Sequence, residues 1–379
     1  MIKQYKLRFY NFRLVVFLLA ISFIGIHLVG TAADYLRTRQ LLGVIIGVVF
    51  MLLLSLMDYS WLLNFQWIMY GFNIVMLLAV RFFGSSANGA ARWVDLGFIR
   101  FQPTELSKII IILFFAKFFM DHEDDLNTLK TLAQSAVLLV IPLMLIYVQP
   151  DMKNTITVVI LFCILIYIAG LSYKIIGGAA LIAIPLAIIF LSIVVQPDQK
   201  LIQDYQRNRI MTFFEPENNE DGAYQQKYSV QAIGSGQLSG KGLNNDDPSS
   251  LNNAHYIAEG HTDFIFAVMG EELGFIGCCM AILLLSWIVI ECIIAAVRAK
   301  DFAGRLICCG VAAQIGFQSA LNIAVATQLL PNTGQPLPFF SYGLTSLVSA
   351  YISMGVVLNV SLQRNVERDD EIFADDFRG

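Results

Sequence analysis

The stretch ELGFIGCCMAILLLSWIVIECIIAAV, residues 272–297, decides the fold: after Glu272, its only charged residue is Glu291. Coiled as a helix, a run of this length crosses the ~30 Å hydrocarbon core of a bilayer. The same ruler finds nine further apolar runs, at roughly 14–31, 41–57, 61–83, 105–120, 132–149, 155–170, 173–196, 304–329 and 341–361. A lipid-exposed backbone must satisfy its own hydrogen bonds, so each run is expected to be a helix. The chain therefore reads as an all-α polytopic integral membrane protein of about ten transmembrane helices, a single membrane domain over residues 1–379. Composition agrees: 57% of the 379 residues are hydrophobic, 14% are charged, and the mean hydropathy is +0.65. A net charge of −4 without a dense basic stripe excludes a nucleic-acid partner. The six cysteines all lie in apolar stretches with no CxxC spacing, as small buried residues do.

Lys3, Lys6, Arg8 and Arg13 precede the first run and favour a cytoplasmic N-terminus. A basic start followed by Gly30, Thr31, Ala32 and Ala33 also fits a cleaved signal peptide, but this run is long for one. An even number of spans returns Arg364 and Arg368 to the cytoplasm, so both termini are expected there, together with Arg298, Lys300 and Arg305. Two segments then face outward: residues 84–104, and the large extracytoplasmic loop 197–262 between the seventh and eighth helices. A connector that long points to function or to helices of its own.

Several polar stretches border these spans. GSGQLSGKG (234–242) misses the P-loop spacing, and Gly242 stands where a Mg²⁺-binding hydroxyl belongs, so its glycines are read as tight turns close to other backbone. ARWVDLGFIRFQPTELSK (91–108) brings Arg92, Arg100, Glu105 and Lys108 to the mouth of the fourth span, with Pro103 in the first helical turn. Glu105 and Lys108 share a face, either as a plain ion pair or as the lining of a polar pocket. In QPDMKN (149–154), Asp151 and Lys153 read as a solvated turn. PNTGQPLPFFSYGLTS (331–346), with three prolines and two glycines, reads as an irregular binding surface. His255 and His261 are six apart and lack a third zinc ligand. EGHTDFIF (259–266) ends the long loop: Thr262 and Asp263 suit a helix N-cap, yet Asp263 is equally placed to act as a catalyst on a membrane-borne substrate.

Taken in order, RWVDLG-F-FQPTELSK, QPD, AIGSGQLSGKG, HTDFIFAVMGEELGFIG and PLPFFSYGLTS resemble the SEDS family (shape, elongation, division and sporulation), the membrane-embedded peptidoglycan glycosyltransferases. The resemblance runs over nearly the whole chain. It departs where the family's Leu-Gly-Thr after QPD is Met152-Lys153-Asn154, where GSGGL is Gly234-Ser235-Gly236-Gln237-Leu238, where SYGG is Ser341-Tyr342-Gly343-Leu344, and where a Leu-Pro-Glu-Ala-like stretch is Ile257-Ala258-Glu259-Gly260. The resemblance implies polymerisation of lipid II into β-1,4 glycan at the outer face of the bacterial cytoplasmic membrane, with undecaprenyl pyrophosphate leaving. The family's essential acid falls on Asp263, as general base. Arg92 and Lys108 are then candidates for pyrophosphate contact, with Glu105 orienting Lys108, and Glu259, His261, Thr262 and Ser341 line the substrate site. No cofactor is required, although a divalent cation, Mg²⁺ or Mn²⁺, is a candidate to share the pyrophosphate. Expected partners are lipid II, the undecaprenyl-pyrophosphate-linked glycan, a class B penicillin-binding protein for cross-linking, and other elongation or division machinery, with a lean towards elongation. The alternatives are a lipid-linked precursor flippase, which needs a continuous polar path through the spans, or a non-catalytic scaffold for a cell-wall synthase.

Overall fold

The computed structural model describes residues 9–87, 90–95, 97, 100–194, 196, 204–215, 220–243, 250–252, 256–257 and 259–363. The basic residues Lys3, Lys6, Arg8, Arg364 and Arg368, and His255, lie outside the described residues. Each of the ten apolar runs coincides with a helix: α1 (Phe12–Ala32), α2 (Asp34–Leu56), α4 (Gln66–Phe83), α5 (Pro103–Asp121), α6 (Leu129–Val148), α7 (Met152–Ile168), α8 (Tyr173–Val194), α11 (Ile265–Val297), α12 (Phe302–Ala326) and α13 (Leu344–Leu362). Seven of these, α1, α2, α4, α6, α11, α12 and α13, are long and apolar enough to cross a membrane, and α7 and α8 add shorter apolar helices. A short helix α3 (Tyr59–Leu63) turns the chain between α2 and α4. The long loop is partly helical, with α9 (Asp204–Phe214) and α10 (Glu220–Ser235). Segment 84–104 is more than a connector: β1 (Gly84–Ala87), β2 (Ala90–Asp95) and β3 (Arg100–Phe101) form a small antiparallel sheet in the order β1-β2-β3.

At the centre stands α5, buried on all sides from Ile109 to Phe119 apart from Lys117. Its apolar residues run around the whole circumference, which is the pattern of a helix enclosed by others. Phe114 packs at a tilt on Tyr70 of α4, with ring centroids 4.6 Å apart, and Phe115 meets Phe162 of α7 at 4.9 Å, so aromatic contacts tie three helices together. Enclosure also lets α5 carry Glu105 and Lys108 at its first turns. Against lipid, where no hydrophobic force joins helices, small residues let backbones approach. A β-carbon at Gly47 of α2 would lie 2.4 Å from the Tyr351 ring of α13, and one at Gly355 would lie 2.7 Å from the Met51 carbonyl. Tyr351 in turn shares a 2.6 Å hydrogen bond with Ser22 of α1.

A break inside α11 shapes one end of the bundle. Gly274 adopts φ 67°, ψ −165°, which interrupts the helix and frees the carbonyls of Glu271 and Glu272 and the N–H groups of Phe275 and Ile276. The loop 236–242 inserts there and satisfies all four. Lys241 N and Gly242 N donate to the carbonyls of Glu271 (2.9 Å) and Glu272 (3.0 Å), while Phe275 N and Ile276 N donate to those of Gln237 (2.8 Å) and Leu238 (3.1 Å). Gly236 and Gly240 of GSGQLSGKG thus serve close backbone approach, where a β-carbon would lie 1.9 Å from the Gly270 carbonyl and 2.1 Å from that of Glu272, respectively, while Gly234 and Gly242 have open space at that position. Glu271 clasps the loop further, accepting from Lys241 Nζ (2.8 Å) and from the N–H groups of Leu251 (2.8 Å) and Asn252 (3.0 Å).

Candidate functional site

The turn 259–264 leads into α11 with the Glu259 carbonyl accepting from the N–H groups of Thr262 and Phe264, each at 3.1 Å. The cap residue of α11 is Phe264, and no side chain caps the helix. Asp263 is therefore not an N-cap, even in part, and among the described residues its carboxylate accepts no hydrogen bond. Its backbone, by contrast, is clamped. Asn322 of α12 donates from Nδ2 to the carbonyls of Asp263 and Gln335, each at 2.7 Å. Ser341 Oγ donates to the Thr262 carbonyl (2.6 Å) and accepts from Leu337 N (2.7 Å), and Tyr342 N donates to the His261 carbonyl (2.8 Å). Three consecutive residues, 261–263, are thus fixed by α12 and by the proline-rich segment before α13. That segment carries a buried Phe339 with φ 65°, left-handed backbone of the kind that functional segments retain.

Around the carboxylate stand Lys153 of α7, Arg209 of α9, and Glu259 and His261 of its own turn. Crowding removes water from Asp263 and pushes its pKa above the ordinary aspartate value, with Glu259 adding to the rise; Lys153, Arg209 and His261 oppose it. Glu259 is itself engaged, accepting from Thr262 Oγ1 at 2.7 Å.

The reading of QPDMKN as a solvated turn does not hold. Asp151 is fully buried and gathers four donors: Gln102 Nε2 (3.1 Å), Thr104 Oγ1 (3.2 Å), Asn154 Nδ2 (2.8 Å) and Asn154 N (3.4 Å). It caps α7 and joins it to the start of α5, so sequence reasoning missed a structural hub. Arg92 reaches the same turn, donating from Nη2 to the Pro150 carbonyl at 2.5 Å. Glu105 and Lys108 form a fully buried ion pair of 2.9 Å just below, which favours the plain-pair reading over an open pocket. The structure thus brings Glu259, His261, Thr262, Asp263 and Ser341 into one constellation and ties Arg92, Glu105 and Lys108 to the neighbouring α5–α7 junction. Gln335 Nε2, bonded to Thr157 Oγ1 of α7 at 3.0 Å, links the proline-rich segment to α7.

Asn322, Gln335, Lys153, Arg209 and Gly334 were not singled out from the sequence as parts of this site. An asparagine inside an apolar run was the available signal for the first. Among the described residues no three His, Cys, Asp or Glu side chains converge to hold a metal. Asp263 and Glu259, flanked by two cations, do not by themselves build an oxygen cage for Mg²⁺ or Mn²⁺.

Comparison with known proteins gives one answer throughout. The family model FtsW/RodA/SpoVE, described as "Cell cycle protein", matches residues 4–366. The peptidoglycan glycosyltransferase MrdB of Escherichia coli K12 is 35% identical over 297 residues, covering 77% of this chain and 76% of the relative. A probable peptidoglycan glycosyltransferase FtsW of Trichlorobacter lovleyi is 30% identical over 376 residues, 95% of each chain. Among solved structures, a chain of a peptidoglycan synthase complex that coordinates polymerization and crosslinking superposes with a TM-score of 0.76 at 26% identity, covering 93% of this chain and 97% of that one. The rod shape determining protein RodA of Thermus thermophilus superposes at 0.68, also at 26% identity, covering 94% and 97%. With its ten apolar helices and the motifs in family order, this chain belongs to the FtsW/RodA/SpoVE family of polytopic membrane proteins.

Proposed function

We propose that this chain is a peptidoglycan glycosyltransferase that polymerises lipid II into β-1,4 glycan strands, with Asp263 as general base. The single observation that carries the assignment is the Asp263 carboxylate: its backbone is fixed by α12 and the proline-rich segment, while among the described residues its oxygens accept no hydrogen bond. An acid held for structure spends its oxygens on caps or pairs, as Asp151 and Glu271 do. In the proposed reaction the GlcNAc 4-hydroxyl of the incoming lipid II attacks C1 of the MurNAc at the end of the growing chain. The O4–C1 bond forms, the bond from C1 to the diphosphate oxygen breaks, and the electron pair leaves with undecaprenyl diphosphate. The hydroxyl proton passes to Asp263, and the α linkage inverts to β in one displacement. A raised pKa suits this role, because a carboxylate closer in basicity to neutral pH is a stronger proton acceptor.

The names of the relatives support the transfer chemistry, and the likeness to a peptidoglycan synthase complex supports a partner enzyme, which we assign as a class B penicillin-binding protein. The whole chain acts as one domain in the bacterial cytoplasmic membrane, with both termini in the cytoplasm and Asp263 on the outer side. A groove of about 540 Å³ between α2, α5 and α13, lined by Leu42, Ile46, Phe50, Phe101, Leu106 and Val348, suits the polyprenyl tail of a lipid-linked sugar. The test is the product: purified protein with its partner and lipid II should release chains that lysozyme cuts, since lysozyme requires the β-1,4 bond. Lipid II recovered unchanged would refute the enzyme reading and favour a flippase or scaffold.

A further inference from the structure

Lys153 sits in the first turn of α7, two residues beyond the buried cap Asp151, so the root of its side chain is fixed. Its ammonium donates to the Gly334 carbonyl. Gly334 has a left-handed φ of 74°, and a β-carbon there would lie 3.2 Å from Asp263 Oδ2 and 3.4 Å from Arg209 Nη1. Lys153, Asp263 and Arg209 therefore meet around one glycine from three separate elements: α7, the turn before α11, and α9. Even so, Lys153 and Asp263 form no ion pair within 4.0 Å; among the described residues such pairs join Lys108 to Glu105, Lys117 to Asp121 and Lys241 to Glu271. A cation and a carboxylate this near each other in a crowded site ordinarily collapse into contact. Here the ammonium is turned to the Gly334 carbonyl, and it stays more than 4.0 Å from the carboxylate.

We infer that Lys153 binds the diphosphate of the polyprenyl donor, opposite Asp263, and stabilises it as it leaves. The inference rests on the glycosyltransferase reading above and names the cation that reading lacks, since the ammonium of Lys108 is enclosed with Glu105. The charge flow favours a cation in this position. When the 4-hydroxyl proton moves to Asp263, the carboxylate loses its negative charge; when the C1–O bond breaks, the diphosphate gains one. The attraction that Lys153 exerts on Asp263 in the resting site passes to the leaving group, and a group that stabilises charge only as it develops accelerates the step. The other charged groups that face Asp263 are Arg209, which shares the same side of Gly334, and Glu259 and His261 in its own turn. Arg209 also donates to the Asn332 carbonyl (3.4 Å) and Glu259 accepts from Thr262, while Lys153 stands in the first turn of α7 beside the buried cap Asp151, which fixes its root against the site.

Farnesyl diphosphate, a soluble short-chain probe, tests the site without turnover. Its Kd is measured for the full chain in detergent, for Lys153→Met and Lys153→Arg, and for Lys117→Met as a control for loss of charge elsewhere. Losing one charge-assisted contact predicts a Kd about 10–100-fold weaker for Lys153→Met. Lys153→Arg and Lys117→Met should stay within about threefold of wild type, and farnesyl monophosphate should bind weakly to all four. Thermal transitions identify misfolded variants, and Lys153→Gln replaces the methionine variant if that one does not fold. An unchanged Kd in the Met or Gln variant overturns the inference, as does wild-type protein that does not bind the probe. Lys153-dependent binding by protein that makes no glycan would leave the anion site standing while the proposed reaction falls. Normal polymerisation with Lys153-independent binding would remove this inference alone.

Discussion

Replacing Gly274 by alanine sets two backbone arrangements of α11 against each other. A β-carbon there would lie 2.3 Å from Gly240 N and 2.7 Å from the Leu238 carbonyl, both main-chain atoms that cannot swing aside. The residue also sits at φ 67°, ψ −165°, a region that costs an L-residue about 1–3 kcal/mol. Expelling the loop forfeits four inter-segment hydrogen bonds, roughly 0.5–1.5 kcal/mol each, or about 2–6 kcal/mol together. The escape route is a straightened helix, in which Phe275 N and Ile276 N bond to the Glu271 and Glu272 carbonyls and about 1–3 kcal/mol returns. The balance is a loss of about 1–3 kcal/mol, a sizeable part of the ~5–15 kcal/mol typical of a folded protein. The control lies in the same motif. Gly234 is helical in α10 with open space where its β-carbon would go, so Gly234→Ala should be neutral or stabilise by up to about 1 kcal/mol. Thermal unfolding in detergent and limited proteolysis of the 236–252 region read both variants. Gly274→Ala should melt early and be cut in the loop. A melting point and cleavage pattern equal to wild type would refute the inserted-loop account.

Two further outcomes follow from the site. Ser341→Ala strands the Thr262 carbonyl and Leu337 N–H, so it should cost about 2–4 kcal/mol and lower kcat more than KM, with Ser341→Thr retaining more of both in melting and turnover assays. Because Asp263 titrates above the ordinary aspartate value, the acid limb of the polymerisation rate should lie above that range, with activity rising as the carboxylate ionises. The same shift has a sign in stability. The folded protein holds the Asp263 proton when the unfolded chain has released it, so stability falls as pH climbs from the unfolded pKa through the folded one. Asp263→Asn should therefore melt like wild type below that window and higher than wild type above it.

The spans were legible because a bilayer imposes one length and one polarity on every segment crossing it, and the ten runs returned as ten helices. Pro103 at the start of α5 and the close-packed Gly236 and Gly240 were equally readable, since each answers to a local rule of backbone geometry. Asp151 was misread because its three partner residues lie at the starts of two helices separated in sequence by some fifty residues, and a turn of polar residues carries no mark of whether water or protein surrounds it. Asp263 read as cap or catalyst alike, because Thr and Asp before an apolar run are usual caps; the helix instead begins at Ile265, after a turn closed on the Glu259 carbonyl. The sheet of residues 84–101 escaped notice because strands this short carry too few alternations to register. Lys153 reached the site through its contact with Gly334, a pairing across 181 positions that only the folded chain displays.

The central claim is that Asp263 takes the proton in glycosyl transfer, and the decisive measurement is lipid II polymerisation by the purified protein with its penicillin-binding partner, wild type beside Asp263→Ala. Both forms must insert, and the variant must melt no lower than wild type, as expected for a side chain to which, among the described residues, no group donates a hydrogen bond. Glycan chains from wild type and none from the variant are predicted. Chains formed at an undiminished rate by Asp263→Ala would contradict the general-base assignment.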